Sequence, residues 1–223
     1  LTDIDDIEAK GWGKTYLPEG SPERVSVPEF GLLADYVSGG GGYGDPLDRN
    51  VEAVVQDLRA GITSPEVARN IYGVIVDAST LSLDHGKTEE RRREIREQRL
   101  KEGRRPASAA PQAGNGADWN TILRIHEYLE IARNGSTVRY RCTRCGHLFC
   151  SPEENYKKHC LKRVVTLDRF ALRPLPTRGP YLGHLQEYIC PGCATLLQVD
   201  VYCPALGGEE DLWDIRIDSP ERT

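Results

Sequence analysis

The chain contains no methionine, no apolar run approaching the roughly 18 residues of a membrane span, and no net excess of basic charge. The missing apolar run excludes a helical membrane protein. The missing basic excess weighs against nucleic acid as a partner. Phosphate neutralisation dominates that affinity, and a formal charge of -5 with a pI near 5.6 offers little of it. The lack of any methionine, initiator included, predicts a start that is cut or processed. Leu1 is not followed by the charged-then-apolar pattern of a secretory leader, so a cytoplasmic protein is expected. Hydrophobic residues reach only 39%, below the about 45–50% of an ordinary globular domain, so part of the chain is expected to build no core of its own. No Ser/His/Asp, Cys/His or paired-carboxylate arrangement is visible, and His85, His126 and His184 stand far apart with no ordering motif. No catalytic or cofactor-binding residue is assigned.

What is present is unevenly spread. Residues 1–86 carry 6 basic and 15 acidic side chains, residues 87–105 carry 9 and 5, and residues 106–223 carry 14 of each. These shifts divide the chain into a segment 1–86, a charged stretch and linker 87–117, and a domain 118–223. In the first segment an arm through Gly20 is followed by a short extended stretch at Val25–Phe30. The four glycines Gly39–Gly42 then force a loop, because no regular element survives that much backbone entropy. Val51, Val54, Val55 and Leu58 form one stripe of a helix capped by Asn50. Ser64-Pro65-Glu66 starts a second helix burying Val67 and Ile71, and Val74–Val76 reads as a short buried strand. Residues 87–105 read as a solvated helix with charges spaced four apart, serving as an exposed tether. Pro106–Ala117 is small, polar and flexible.

The third segment opens with a helix capped by Asp118, its face made by Ile122, Ile125, Leu129 and Ala132 and its end marked by Asn134-Gly135. Extended runs at 138–141, 164–167, 185–189, 196–202 and 213–217 then alternate apolar and polar residues, as half-buried antiparallel strands do. The fold class is therefore α+β: a helical, loop-rich docking segment joined to a zinc-ribbon-like antiparallel β domain with a leading helix.

Seven cysteines are an odd number, and four of them form the pairs Cys142-Thr143-Arg144-Cys145 and Cys190-Pro191-Gly192-Cys193. Each pair follows an extended run and is followed by a small residue, the spacing of a knuckle that turns two thiolates toward one ion. Two knuckles supply the tetrahedral four-sulfur shell that zinc favours in closed structural sites, which have no open position for a substrate. Iron in such a shell would share the same spacing. Cys150, His159, Cys160, Cys203 and His147 are candidates for a second ion, with packed thiols and surface imidazoles the commoner outcome. The formal G-x-G-x-x-G of Gly39, Gly41 and Gly44 is nearly automatic in a glycine run, so it is a weak signal for a phosphate cradle.

The run Gly39-Gly40-Gly41-Gly42-Tyr43-Gly44-Asp45-Pro46-Leu47-Asp48-Arg49, continuing through Ala68-Arg69-Asn70-Ile71-Tyr72-Gly73-Val74, resembles the C-terminal tail of the hydantoinase B/oxoprolinase family. Residues 118–218, with both cysteine pairs, are similar to the small gamma subunit of acetone and related ketone carboxylases. The joint resemblance implies an accessory zinc-binding subunit of a biotin-independent ketone carboxylase. Its partners would be hydantoinase A-like and hydantoinase B-like large subunits, and ATP and a divalent metal are expected on those partners. No catalytic residue of the large subunits has a counterpart here. The rival readings are a stand-alone zinc-ribbon adaptor or nucleic-acid-binding protein, and a subunit of a hydantoinase or lactam hydrolase complex.

Overall fold

The computed structural model describes residues 11, 43–104, 118–166, 183–206 and 210–215. All of them but Gly11 belong to one compact unit, Gly42–Phe170 with Tyr181–Thr223. The expected arm apart from Gly11, the stretch at 25–30, Gly39–Gly42, and the linker at 106–117 lie outside the described residues. Helices and two antiparallel three-stranded sheets make the unit α+β, as the sequence pattern implies. No helix among the described residues is long and apolar enough to cross a membrane.

Helix α1 (Val51–Arg59) starts where the Asn50 side chain accepts the Ala53 amide at 2.8 Å, and α2 (Pro65–Asn70) starts where Ser64 caps Val67. Between them they bury Val54, Val55, Leu58 and Ala68 around Val74, with Tyr72, Val76 and Leu83 packed alongside. Two expectations change here. Val67 is 39% exposed and Ala68 takes the buried position. Val74–Val76 forms no strand beyond one bridge from Val76 to Leu83, where residues 82–84 fold back beside it and the Asp77 and Asp84 amides donate to the Ser82 and Ile75 carbonyls at 2.9 Å. The α1 stripe is thus consumed inside the chain itself.

Helix α3 (His85–Glu102) is not an exposed tether. Thr88, Ile95 and Arg99 are buried, and its arginines fasten it to neighbours. Arg92 donates from Nε to the Tyr72 carbonyl at 3.1 Å and from Nη2 to the Arg49 carbonyl at 2.7 Å. Past its end, Arg104 exchanges backbone bonds with Lys162 at 2.8 and 3.0 Å. Charge counting reads such a run as solvated, yet a guanidinium tolerates burial once carboxylates and carbonyls meet its fork of donors.

The sheets are β1 (Asn120–His126), β2 (Leu129–Asn134) and β3 (Thr137–Cys142), and β4 (Leu161–Val165), β5 (His184–Ile189) and β6 (Leu196–Tyr202). The expected leading helix does not exist: its residues form β1 and β2. Its apolar spacing fitted a helix, but β2 runs to Asn134 and the two-residue turn Gly135-Ser136, with Gly135 at φ 57°, joins it to β3 as a hairpin. The later runs fall on β3 to β6 within a few residues. Residues 213–215 of the last run are not extended into a strand, and 216–217 lie outside the described residues. This segment is held by polar contacts instead. Lys157, whose side chain is fully buried, pairs with Asp214 at 3.0 Å and Asp200 at 2.7 Å, and Tyr188 donates to Asp211 at 3.0 Å. Between the sheets lies an aromatic core of Tyr128, Tyr140, Phe149, Tyr156 and Tyr188 with Leu129, Ile131 and Leu197.

Candidate metal centre

The two cysteine pairs occupy matching turns. In the first, Cys142 ends β3, its amide donates to the His147 carbonyl at 2.8 Å, and the Gly146 amide donates back to the Cys142 carbonyl at 2.9 Å. In the second, Cys190 follows β5, its amide donates to Thr195 at 2.9 Å, and the Ala194 amide returns to Cys190 at 2.9 Å. The residue after each second cysteine has a left-handed backbone: Gly146 at φ 74° and Ala194 at φ 60°. The same hydrogen bonds at the same offsets aim both thiol pairs at a common point.

The four sulfurs lie within 4.8 Å of one another, with Cys142 to Cys193 at 3.8 Å and Cys145 to Cys190 at 3.7 Å. A tetrahedron with metal–sulfur bonds of about 2.3 Å has edges of about 3.8 Å, so the two spacings of 3.8 and 3.7 Å match its edges and the four sulfurs are gathered closely enough to share one ion. Cys142 and Cys190 are buried, Cys193 is partly covered and Cys145 is exposed. The crowded thiols share protons: hydrogen bonds from their neighbours hold Cys145 and Cys193 below the ordinary thiol range and push Cys142 and Cys190 above it. The Thr195 hydroxyl, 3.1 Å from Cys193 Sγ, is placed to donate to that thiolate. A Cβ on Gly192 would sit 3.0 Å from Cys145 Sγ and 3.2 Å from His147 Cβ, so glycine lets the knuckles meet.

The other candidates fall elsewhere. Cys150 and Cys160 are buried in the aromatic core, Cys150 pushed up to about 12 by burial and Cys160 also raised by burial. His159 Nε2 faces Glu154 at 3.3 Å. His147 packs edge-on against Phe149, and burial lowers its pKa. Among the described residues, no other set of three Cys, His, Asp or Glu side chains reaches mutual coordination distance. His85, His126 and His184 lie on α3, β1 and β5 respectively. Gly39 and Gly41 are outside the described residues, while Gly44 packs against the Glu127 carboxylate, a poor neighbour for phosphate.

Residues that sequence reading did not single out surround the knuckles. Asp45 and Arg99 form a buried ion pair against the second knuckle, and Arg144 of the first knuckle pairs with Asp48 at 2.7 Å. Asp45 stands in the Gly-Tyr-Gly-Asp-Pro run already noted for its resemblance. Nothing in sequence distinguishes Arg99 from the other basic residues of α3.

Residues 118–219, just under half of the chain, match the family described as acetone carboxylase gamma subunit, which bears out the resemblance noted for that segment. The chain is 36% identical over 75 residues to the acetone carboxylase alpha subunit of Xanthobacter autotrophicus, a stretch covering 32% of this chain and 10% of the relative. It is 42% identical over 65 residues, 29% of this chain and 10% of the relative, to the acetophenone carboxylase delta subunit of Aromatoleum aromaticum. Caprolactamase subunit beta of Pseudomonas jessenii is 51% identical over 41 residues, 18% of this chain and 7% of the relative. The chain thus spans about a tenth or less of the length of these curated relatives.

Proposed function

We propose that this chain is an accessory, metal-bearing subunit of a cytoplasmic, ATP-dependent and biotin-independent ketone carboxylase acting on an acetone- or acetophenone-type substrate. Cys142, Cys145, Cys190 and Cys193 hold one structural Zn2+ ion. The observation that carries the reading is the four-sulfur cluster of tetrahedral dimensions inside the segment that matches the gamma-subunit family. Such a shell is filled by its own ligands and leaves no position for water or substrate, so the ion organises structure. The chemistry then belongs to partners, hydantoinase A-like and hydantoinase B-like large subunits that bring ATP and a divalent metal. The segment before residue 87 acts as a hydantoinase B-type tail carried on the small subunit.

Co-expression of the chain with large subunits of those two types tests this. The expected result is a hetero-oligomer that fixes labelled bicarbonate into a ketone only with ATP, and that loses activity when this chain is left out. Elemental analysis of the same complex should give one zinc per chain; iron in its place would reassign the ion. Carboxylation by the large subunits alone, at full rate, would refute the accessory role. The similarity to a caprolactamase subunit favours one second reading, a lactam-hydrolysing complex. Ring opening of caprolactam without ketone carboxylation would select it.

A further inference from the structure

The two knuckles differ in one respect. The left-handed position after the second cysteine is Gly146 in the first knuckle and Ala194 in the second, at φ 74° and 60°. Glycine adopts this conformation freely, whereas a Cβ is crowded there. A strained residue of this kind persists only where its surroundings over-determine it. Ala194 is fully buried, and the groups that hold it come from residues about a hundred or more positions upstream.

Arg99 Nη1 donates to the Ala194 carbonyl at 3.1 Å and to Asp45 Oδ2 at 2.7 Å, and its Nη2 donates to Asp45 Oδ1 at 3.0 Å. Asp45 Oδ2 in turn accepts the Leu196 amide at 3.0 Å. Both side chains are almost wholly buried, at 4% and 0% exposure. Asp45 is fixed from its other end, since Oδ1 accepts the Leu47 amide at 3.0 Å and its own amide reaches the Tyr128 hydroxyl at 3.3 Å. The fork therefore spans the strained residue, gripping its carbonyl on one side and the amide two residues later on the other. Those two points lie one and three residues beyond Cys193.

We propose that Asp45 and Arg99 are positioning residues for the metal centre, a clamp that holds the Ala194 turn and with it Cys193 in the geometry the ion needs. Metal retention is then a property of the joined chain, residues 43–104 included, and not of the cysteine-bearing segment alone. The proposal rests on the metal reading above. Outer supports of a metal site typically change affinity by about 10–100-fold when removed.

The test uses the full chain loaded with zinc, with metal release to an excess of a chromogenic chelator as readout. Asp45→Asn, which leaves Arg99 without its counter-charge, should release metal about 10-fold faster or more. Arg99→Lys, which loses the planar fork, should act in the same direction and stands in if Asp45→Asn does not fold. The discriminating variant is Ala194→Gly. It should leave release nearly unchanged alone and recover most of the loss when added to Asp45→Asn or Arg99→Lys, because glycine no longer needs the clamp. Val54→Ala, in the separate α1 core, controls for general destabilisation and should not speed release. In the unmutated chain the Leu196 amide should exchange slowly with solvent. Release at the original rate in both clamp variants, no rescue by glycine, or equal acceleration by Val54→Ala would each overturn the clamp while leaving the metal reading intact. An unmutated chain that holds no metal would overturn the metal reading, and the clamp with it.

Discussion

Gly192→Ala is the smallest perturbation that reaches the cluster without touching a ligand. The added methyl would lie 3.0 Å from Cys145 Sγ and 3.2 Å from His147 Cβ, where ordinary contact begins at 3.4 Å. Relief therefore demands a movement of at least 0.4 Å by the sulfur or by the turn that carries residue 192. Cys145 cannot retreat freely, because its 3.7 Å spacing from Cys190 already matches a tetrahedral edge. Overpacking of this kind costs about 1–3 kcal/mol. If the whole cost falls on the metal-bound state, affinity drops about 5- to 150-fold, since 1.4 kcal/mol corresponds to a factor of ten. Competition against a chelator of known affinity measures it directly, and cobalt substitution reports on the tetrahedral thiolate geometry in the same sample. An affinity within twofold of the unmutated chain, with an unchanged cobalt spectrum, would refute the reasoning. The two knuckles would then have slack that the structure does not show.

Other outcomes are expected. Cys190→Ser should abolish stoichiometric metal binding and unfold the region around β5 and β6, because a structural ion binds and folds its domain together; retention of one ion per chain on elemental analysis would contradict it. Val54→Ala empties part of a fully buried site in α1 and should lower stability by about 1–3 kcal/mol in denaturant titration. Asp48 supplies a pH test. Burial raises its pKa, but the hydrogen bond from Arg144, with further help from Tyr128 and Arg96, outweighs that and holds it below 3.8. A depressed carboxylate stabilises the fold above its unfolded value and loses that contribution as pH falls through the folded value. Asp48→Asn should therefore cost stability at pH 6 and flatten the decline below about pH 4; parallel melting curves across that range would count against it.

The sequence by itself determined what depends on near neighbours. Asn50 and Ser64 cap their helices because the capping oxygen and the amide it meets are three residues apart. The two C-x-x-C pairs imply one ion because the knuckle is a local turn, and β3 to β6 were legible because alternation is local too. Short-range pattern alone could not separate a helix from a hairpin at 120–134. There the spacing of Ile122, Ile125, Leu129 and Ala132 fits a helical face, and pairing between β1, β2 and β3 overrides it. Only the tertiary structure decided the role of α3. Whether an arginine is solvated or buried depends on what meets its donors, and Asp45 lies 54 residues from Arg99. The same holds around Ala194: its turn is local, but the Arg99 and Asp45 side chains that bond its carbonyl and the Leu196 amide come from far upstream, contacts that no local pattern records.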